Sequence, residues 1–119
     1  MGADDVGRQL AEWGKAAILE TRGRVTGRPV RTAVGFVENG DGSLLVAAGA
    51  PDADWSLNLL ADPGCLVTVG DRTWPAEAEE LSRPEAGAVV RDLMLRYGTP
   101  AERLGRGPAF RLRRVASAT

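Results

Sequence analysis

The chain has 119 residues, 44% of them hydrophobic, and sixteen acidic residues nearly balance fifteen basic ones to give a net charge of −1. This length and apolar content favour one compact domain over residues 1–119 with an ordinary core. The near-neutral charge argues against binding to nucleic acid or to an anionic membrane surface, because either partner needs a broad positive field.

Residue types that are missing or rare in the sequence exclude several kinds of catalytic and metal-binding site. There is no histidine and only one cysteine, Cys65, which excludes an intramolecular disulfide, a His/Cys zinc site and a Ser-His or Cys-His nucleophile. No apolar run is long enough to span a membrane and no signal-like segment is present, so a cytoplasmic protein is expected. An enzyme of this composition needs a cofactor to supply its chemistry, and no metal site is predicted.

The first half of the chain predicts a helix and then strands. Residues 1–15 are expected to form an amphipathic helix, since apolar residues follow two aspartates at helical spacing and continue to Ala17. An arginine-rich turn joins the first two strands, a hairpin at 39–42 leads to the third, and a helix over 55–62 with Asp54 as its cap follows. The three strands are expected over 16–21, 30–38 and 43–48.

The second half predicts a hairpin, a long helix and a last strand. Strands over 65–70 and 73–81 flank a tight turn, and a capping box at 82–85 opens a helix that ends at Gly98. The apolar stripe of that helix is Ala86, Val89, Val90, Leu93 and Tyr97. Phe110 and Leu112 mark the last strand, and residues 116–119 read as a flexible tail. About six antiparallel strands and two to three helices predict a mainly β protein with a small barrel.

The turn between the first two strands carries the strongest functional signal. Residues 22–31 contain four arginines, two glycines and no acid. Glycine lets the backbone come close to a ligand, and guanidinium groups bind phosphate or carboxylate in a bidentate way. The segment therefore predicts a site for a small, extended anion. The alternative is a solvated hairpin whose arginines pair with Glu20 and Glu38.

Three segments in this order resemble the deazaflavin-dependent nitroreductase and quinone reductase family: GRVTGRP at 23–29, LVAA at 45–48 and WSLNLLADP at 55–63. The resemblance implies a split β-barrel, related to the barrels that bind flavin mononucleotide (FMN), with coenzyme F420 as the cofactor and FMN as a less favoured one. F420 is a 5-deazaflavin that carries a phosphodiester and a polyglutamate tail. The resemblance also implies a monomer or homodimer.

The activity implied by the resemblance is hydride transfer from reduced F420 to a small electrophile, such as a quinone, a nitroaromatic or an activated alkene. Two alternatives stay open: a non-catalytic barrel that binds a cofactor or an acyl chain, and a specialised biosynthetic enzyme of the same fold. Val25 stands where a lysine is common in the family, so one cationic contact to the phosphate is missing.

The resemblance also implies where the cofactor binds. Arg24, Thr26 and the backbone around Gly27 are expected to hold its phosphate, and Arg28 or Arg31 to reach the tail carboxylates. Trp55 and Asn58 share one helix face and border the cofactor, unless Trp55 simply fixes the helix to the core. The complete predicted cofactor set is Arg24, Val25, Thr26, Gly27, Arg28, Arg31, Thr32, Ala33, Ala47, Ala48, Gly49, Trp55 and Asn58.

Small residues and one tyrosine complete the predicted site. Ala33 and Gly35 share one face of the second strand, and Ala47 and Gly49 one face of the third. If the register brings these faces together, they form a floor for a flat ring, and otherwise they mark a barrel bend. Tyr97 is the candidate catalytic residue, hydrogen-bonding an acceptor oxygen that gains charge. The alternative is that it belongs to the apolar stripe of its helix.

A second basic cluster follows the long helix. Its members are Arg103, Arg106, Arg111, Arg113 and Arg114. They favour either recognition of an anionic ligand or the protection of a soluble edge strand.

Overall fold

A computed structural model describes residues 16–97 and 107–115. Within these ranges seven antiparallel strands form one curled sheet, and two helices pack on it. The strands are β1 (Ala17–Arg22), β2 (Pro29–Val34), β3 (Val37–Glu38), β4 (Leu44–Ala47), β5 (Gly64–Val69), β6 (Arg72–Glu80) and β7 (Ala109–Arg114). The helices are α1 (Asp54–Ala61) and α2 (Arg83–Tyr97). This mostly β half-barrel confirms the predicted fold class.

Some predicted features lie outside the described residues. These are the helix over residues 1–15, the end of the long helix at Gly98, Arg103 and Arg106 of the second basic cluster, and the tail over 116–119. Ala17 was expected to continue the stripe of the first helix, and this is wrong, since Ala17 begins β1 with its side chain fully buried. It pairs with Val34 on β2.

The predicted strand over 30–38 is also wrong, because the chain turns in its middle. Across the sheet the order is β2-β1-β5-β6-β7-β4-β3. The first part of the segment therefore pairs with β1 at one edge, and the last part pairs with β4 at the other. The break falls at Gly35 and Phe36, where Phe36 is buried in the core. The alternation of apolar and other residues continues through the break, because Val34 and Phe36 both pack in the core. The sequence pattern therefore does not reveal the break.

The concave face of the sheet holds the main core. Inward residues of β1, β4, β5, β6 and β7 pack there with residues of α1. The Trp55 ring on α1 meets Phe110 on β7 at a centroid distance of 5.9 Å. Cys65 on β5 is buried in this core, and burial raises the pKa of its thiol to about 11. Cys65 is therefore a protonated packing residue at neutral pH.

The opposite face is covered by α2. The serine N-cap of the predicted capping box is confirmed: Oγ of Ser82 accepts from the backbone N–H of Glu85 (3.5 Å), while the Glu85 carboxylate accepts from the Ser82 hydroxyl (2.9 Å). The predicted stripe is confirmed too, since Val89 and Leu93 are buried and Ala86, Val90 and Tyr97 pack beside them. Their partners on the sheet include Ala47 and Ala109. At one end of β1, hydrogen bonds from Arg24 join the β1–β2 turn to α1.

Candidate anion site at the arginine loop

Residues 23–28, which we call the arginine loop, form a closed turn between β1 and β2. The backbone N–H of Gly23 donates to the Arg28 carbonyl, and that of Gly27 donates to the Gly23 carbonyl, both at 2.8 Å. Gly27 has a φ of +75°, which glycine adopts without the steric cost paid by other residues. The Thr26 hydroxyl oxygen accepts from the backbone N–H of Arg28 at 3.2 Å. The loop is therefore held by its own hydrogen bonds.

Arg24 is fixed by a buried side chain from α1. Its Nη1 donates to Oδ1 of Asn58 at 2.8 Å, and its backbone N–H donates to the same oxygen at 3.2 Å. Asn58 is only 2% exposed, and its Nδ2 donates to Oγ1 of buried Thr21 at 3.1 Å. Because Thr21 lies on β1, the sheet orients Asn58, and Asn58 in turn orients Arg24.

Asp54 completes this arrangement in a way that the sequence did not indicate. The predicted role of Asp54 as a helix cap is wrong: Ala53 is the N-cap, no side chain caps the helix, and α1 begins at Asp54. Its carboxylate instead pairs with Arg24, with Nη2 to Oδ1 at 3.2 Å. The Asp54 side chain is 81% exposed and that of Arg24 33% exposed. Because the Asp54 carboxylate is so exposed, an incoming anion can displace it from Arg24.

These residues surround a small concavity, which we call the loop cavity. It has a volume of about 210 Å³ and is lined by Gly23, Arg24, Val25, Thr26, Val30, Asp54 and Asn58. Its wall carries one guanidinium, one hydroxyl and one displaceable carboxylate. Val25 is 89% exposed and adds only apolar surface. The donor set fits a phosphate-sized anion, and the volume suits that part of a ligand rather than a whole tricyclic cofactor.

Trp55 lies beside the loop cavity with its ring turned into the core. It is 9% exposed and belongs to the main core cluster. This packing agrees with the alternative in which Trp55 fixes α1 to the sheet. Its contact with a cofactor stays a prediction.

The other predicted residues of β2 divide between the two faces of that strand. Arg31 and Ala33 pair with Glu20 and Ile18 of β1, on the convex face, whereas Thr32 pairs with buried Leu19. Nε of Arg31 lies 3.8 Å from the Glu20 carboxylate, an ion pair that the solvated-hairpin alternative expects. Arg28 is exposed at the end of the arginine loop.

The structure does not bring the small residues of the second and third strands together by pairing. Ala33 lies opposite Ile18, and Ala47 lies opposite Ala109, with four strands between β2 and β4 in the sheet. Ala47 packs under α2, and Ala48 is fully buried in the main core. Gly49 follows β4 and is half-buried. The hairpin register that a shared floor requires is therefore absent.

Tyr97 lies at the end of α2, against the break between β2 and β3. Its hydroxyl donates to the Phe36 carbonyl at 3.3 Å and accepts from the Phe36 N–H at 3.2 Å. A Cβ placed on Gly35 would lie 3.2 Å from the Tyr97 ring, so a larger residue here would have to displace the ring by a few tenths of an ångström. The contacts give Tyr97 a packing role, and its catalytic role stays a prediction.

Tyr97→Phe separates these two roles. Removal of the hydroxyl leaves the Phe36 backbone groups without this partner, and we expect the free energy of unfolding to fall by about 1 kcal/mol. Urea denaturation measures this loss. A fall in hydride-transfer rate at unchanged unfolding free energy would instead show that the hydroxyl acts on the substrate.

Among residues 16–97 and 107–115, no group of three or more His, Cys, Asp or Glu residues is arranged to hold a metal ion. No helix in the same ranges is both long enough and apolar enough to cross a membrane.

Two residues that contact Arg24 and Asn58, namely Asp54 and Thr21, were not predicted from the sequence to do so. Asp54 stands four residues before Asn58, so both occupy one face of α1, and that spacing was the available signal. Thr21 carried no local signal, because its contact with Asn58 depends on how α1 packs on β1.

Comparison with known proteins identifies the family and the fold of this chain. The family model of F420H(2)-dependent quinone reductase matches residues 1–103. No curated protein matches the chain. A solved F420-H2 dependent reductase (FDR-A) superposes with a TM-score of 0.70 at 24% identity, covering 83% of this chain and 94% of that one.

Two other solved structures share the fold. The heme storage protein HutZ from Vibrio cholerae superposes with a TM-score of 0.69 at 20% identity, covering 98% of this chain and 93% of its own. A protein described as a domain-swapped dimer has a TM-score of 0.69 at 22% identity, covering 92% of this chain and 95% of its own. These likenesses show the fold, and the family match covers most of the sequence. The chain belongs to the F420H(2)-dependent quinone reductase family.

Proposed function

We propose that this protein binds coenzyme F420 and uses its reduced form to reduce a small electrophile such as a quinone, a nitroaromatic or an activated alkene. The observation that carries the proposal is the fixed position of Arg24 at the loop cavity. Asn58 holds both the guanidinium and the backbone N–H of this residue, so a cation is presented to the ligand before the ligand arrives. Preorganised charge of this kind lowers the cost of binding an anion.

The residues around the loop cavity would bind the phosphodiester of F420. Arg24 supplies the charge-assisted contact, the Thr26 hydroxyl a further hydrogen bond, and exposed Arg28 a second cation for the tail carboxylates. When bound, reduced F420 supplies the hydride, and solvent supplies the proton that completes the two-electron reduction. The contribution of the chain is to position the cofactor and the acceptor and to limit the access of water.

Turnover tests the proposal directly. We expect the purified protein to accelerate the oxidation of reduced F420 by at least one acceptor from a panel of quinones, nitroaromatics and enones, with saturation in both substrates. Binding of F420 without acceleration for any acceptor would support the second candidate, a carrier that does not turn its cofactor over. The commitment of the Tyr97 hydroxyl to Phe36 favours that candidate, since the hydroxyl is then not directed at a substrate.

Asp54 should oppose cofactor binding. Because its carboxylate pairs with Arg24, an incoming phosphodiester has to displace it, and Asp54→Asn removes this competitor. An exposed ion pair contributes about 0–1 kcal/mol, so we expect F420 to bind up to about fivefold more tightly to the variant.

Asp52→Asn is the matched control for this prediction. Asp52 is exposed, lies two residues away and forms no ion pair with the described residues. The two variants change the net charge equally, so equal effects on affinity would show that long-range charge, rather than the Arg24 pair, is responsible.

A further inference from the structure

A second cationic cavity lies apart from the arginine loop. It has a volume of about 540 Å³, within the usual range for small-molecule sites. Its wall carries three arginines, one tryptophan and two acids, which are Arg72, Arg113, Arg114, Trp74, Glu38 and Asp41. It shares no lining residue with the loop cavity. We call it the tryptophan cavity.

Trp74 forms the base of this cavity and orients two arginines. It is 8% exposed and belongs to the main core, so its position is fixed. The guanidinium carbon of Arg114 lies 4.5 Å from the Trp74 ring centroid, and that of Arg72 lies 5.9 Å from it. Stacking on an aromatic ring holds a guanidinium while leaving its N–H edge able to donate.

Neither stacked arginine is neutralised by the described part of the chain. No described carboxylate lies within 4.0 Å of the guanidinium nitrogens of Arg72 or Arg114. Arg113 differs, because its Nη2 pairs with Glu79 at 2.7 Å. Two cations with unused donors therefore face the cavity, and a dianion is the group that matches them.

The acids lie on another part of the wall and limit what else the ligand carries. Asp41 accepts from the backbone N–H and the hydroxyl of Ser43, and these bonds lower its pKa, so it stays ionised. Glu38 is exposed and has no ion pair with the described residues. Two carboxylates repel a second anionic group but accept hydrogen bonds from hydroxyls.

We propose that the tryptophan cavity binds a small phosphorylated polyol. Its phosphate lies on Arg72 and Arg114, and its hydroxyls donate to Asp41 and Glu38. This assignment gives Arg114 of the second basic cluster a role in ligand binding. Arg113 of the same cluster instead forms an ion pair with Glu79 on the neighbouring strand. The assignment does not depend on the proposed use of F420.

Ribose 5-phosphate is a suitable probe, with ribose and inorganic phosphate as its separate halves. We expect ribose 5-phosphate to shift the NMR signal of the Trp74 indole N–H in a saturable way, identified by its loss in Trp74→Phe. Arg114→Gln and Arg72→Gln should each weaken this binding by about tenfold. Arg91→Gln, which removes an exposed charge on α2, should leave it unchanged, and so should Arg24→Ala.

Several outcomes would overturn this proposal. One is the absence of any Trp74 shift with ribose 5-phosphate at millimolar concentration, and another is equal affinity in the parent and both arginine variants. Inorganic phosphate binding as tightly as ribose 5-phosphate would overturn the polyol assignment. Ribose binding as tightly would overturn the role of the arginines. Arg114→Lys keeps the charge without the planar fork, so folded protein with intermediate affinity would support bidentate contact.

Discussion

Replacing Arg24 with alanine should weaken F420 binding roughly 10- to 100-fold, because a charge-assisted contact in a partly desolvated site contributes about 1.5–3 kcal/mol. The structure sharpens this expectation. Asn58 holds the guanidinium at the loop cavity, so the parent does not have to order this side chain when the ligand displaces Asp54. Isothermal titration with oxidised F420 measures the loss.

Two comparisons show whether the effect is local to this guanidinium. Arg24→Lys retains the charge but lacks the planar fork that contacts Asn58 and a phosphate together, so an intermediate affinity is expected. Arg91→Ala removes the same charge from an exposed position on α2 and should bind like the parent. If Arg24→Ala also binds like the parent, the assignment of the phosphate to the arginine loop is wrong.

Replacing Asn58 with alanine should have the largest effect on stability. The change removes the acceptor of two Arg24 donors and the donor to Thr21, in a residue that is almost fully buried. Unsatisfied groups in such a place cost about 1–3 kcal/mol each, so we expect the free energy of unfolding to fall by about 2–4 kcal/mol. The affinity for F420 should fall as well, since Arg24 loses its orientation.

A double-mutant cycle with Thr21→Val tests the coupling behind this prediction. Thr21→Val removes the hydroxyl that accepts from Asn58, so its cost should be much smaller in the Asn58→Ala background than in the parent. Urea denaturation of the four proteins gives the coupling energy. Additive costs would contradict the chain of contacts from β1 through Asn58 to Arg24. Asn39→Ala, in the hairpin before β4, removes one bond from the exposed Gly40 N–H and is a control with an expected cost below about 1 kcal/mol.

Features set by local chemistry could be predicted from the sequence. The capping box before α2 was recognisable because Ser82 and Glu85 bond to each other across one turn. Its apolar stripe was recognisable from helical spacing alone. The hairpin before β4 was likewise indicated by its turn residues, and the Asn39 N–H bonds to the Ser43 carbonyl across it.

Features set by long-range packing could not be predicted in the same way. The break at Gly35 exists because β2 and β3 join opposite edges of the sheet, and an alternating pattern gives no sign of a change of partner. The predicted floor of small residues was wrong for the same reason, because that prediction required β2 and β4 to pair with each other. Arg24 and Asn58 were both predicted to belong to the site, but their contact with each other depends on the packing of α1 against β1.

The most direct test of the account is a titration of the parent protein with F420 and, separately, with FMN, followed by calorimetry and tryptophan fluorescence. We predict saturable binding of F420 in the micromolar range, weaker binding of FMN, and loss of F420 affinity in Arg24→Ala. Failure to bind F420, or tight FMN binding that does not depend on Arg24, would contradict it.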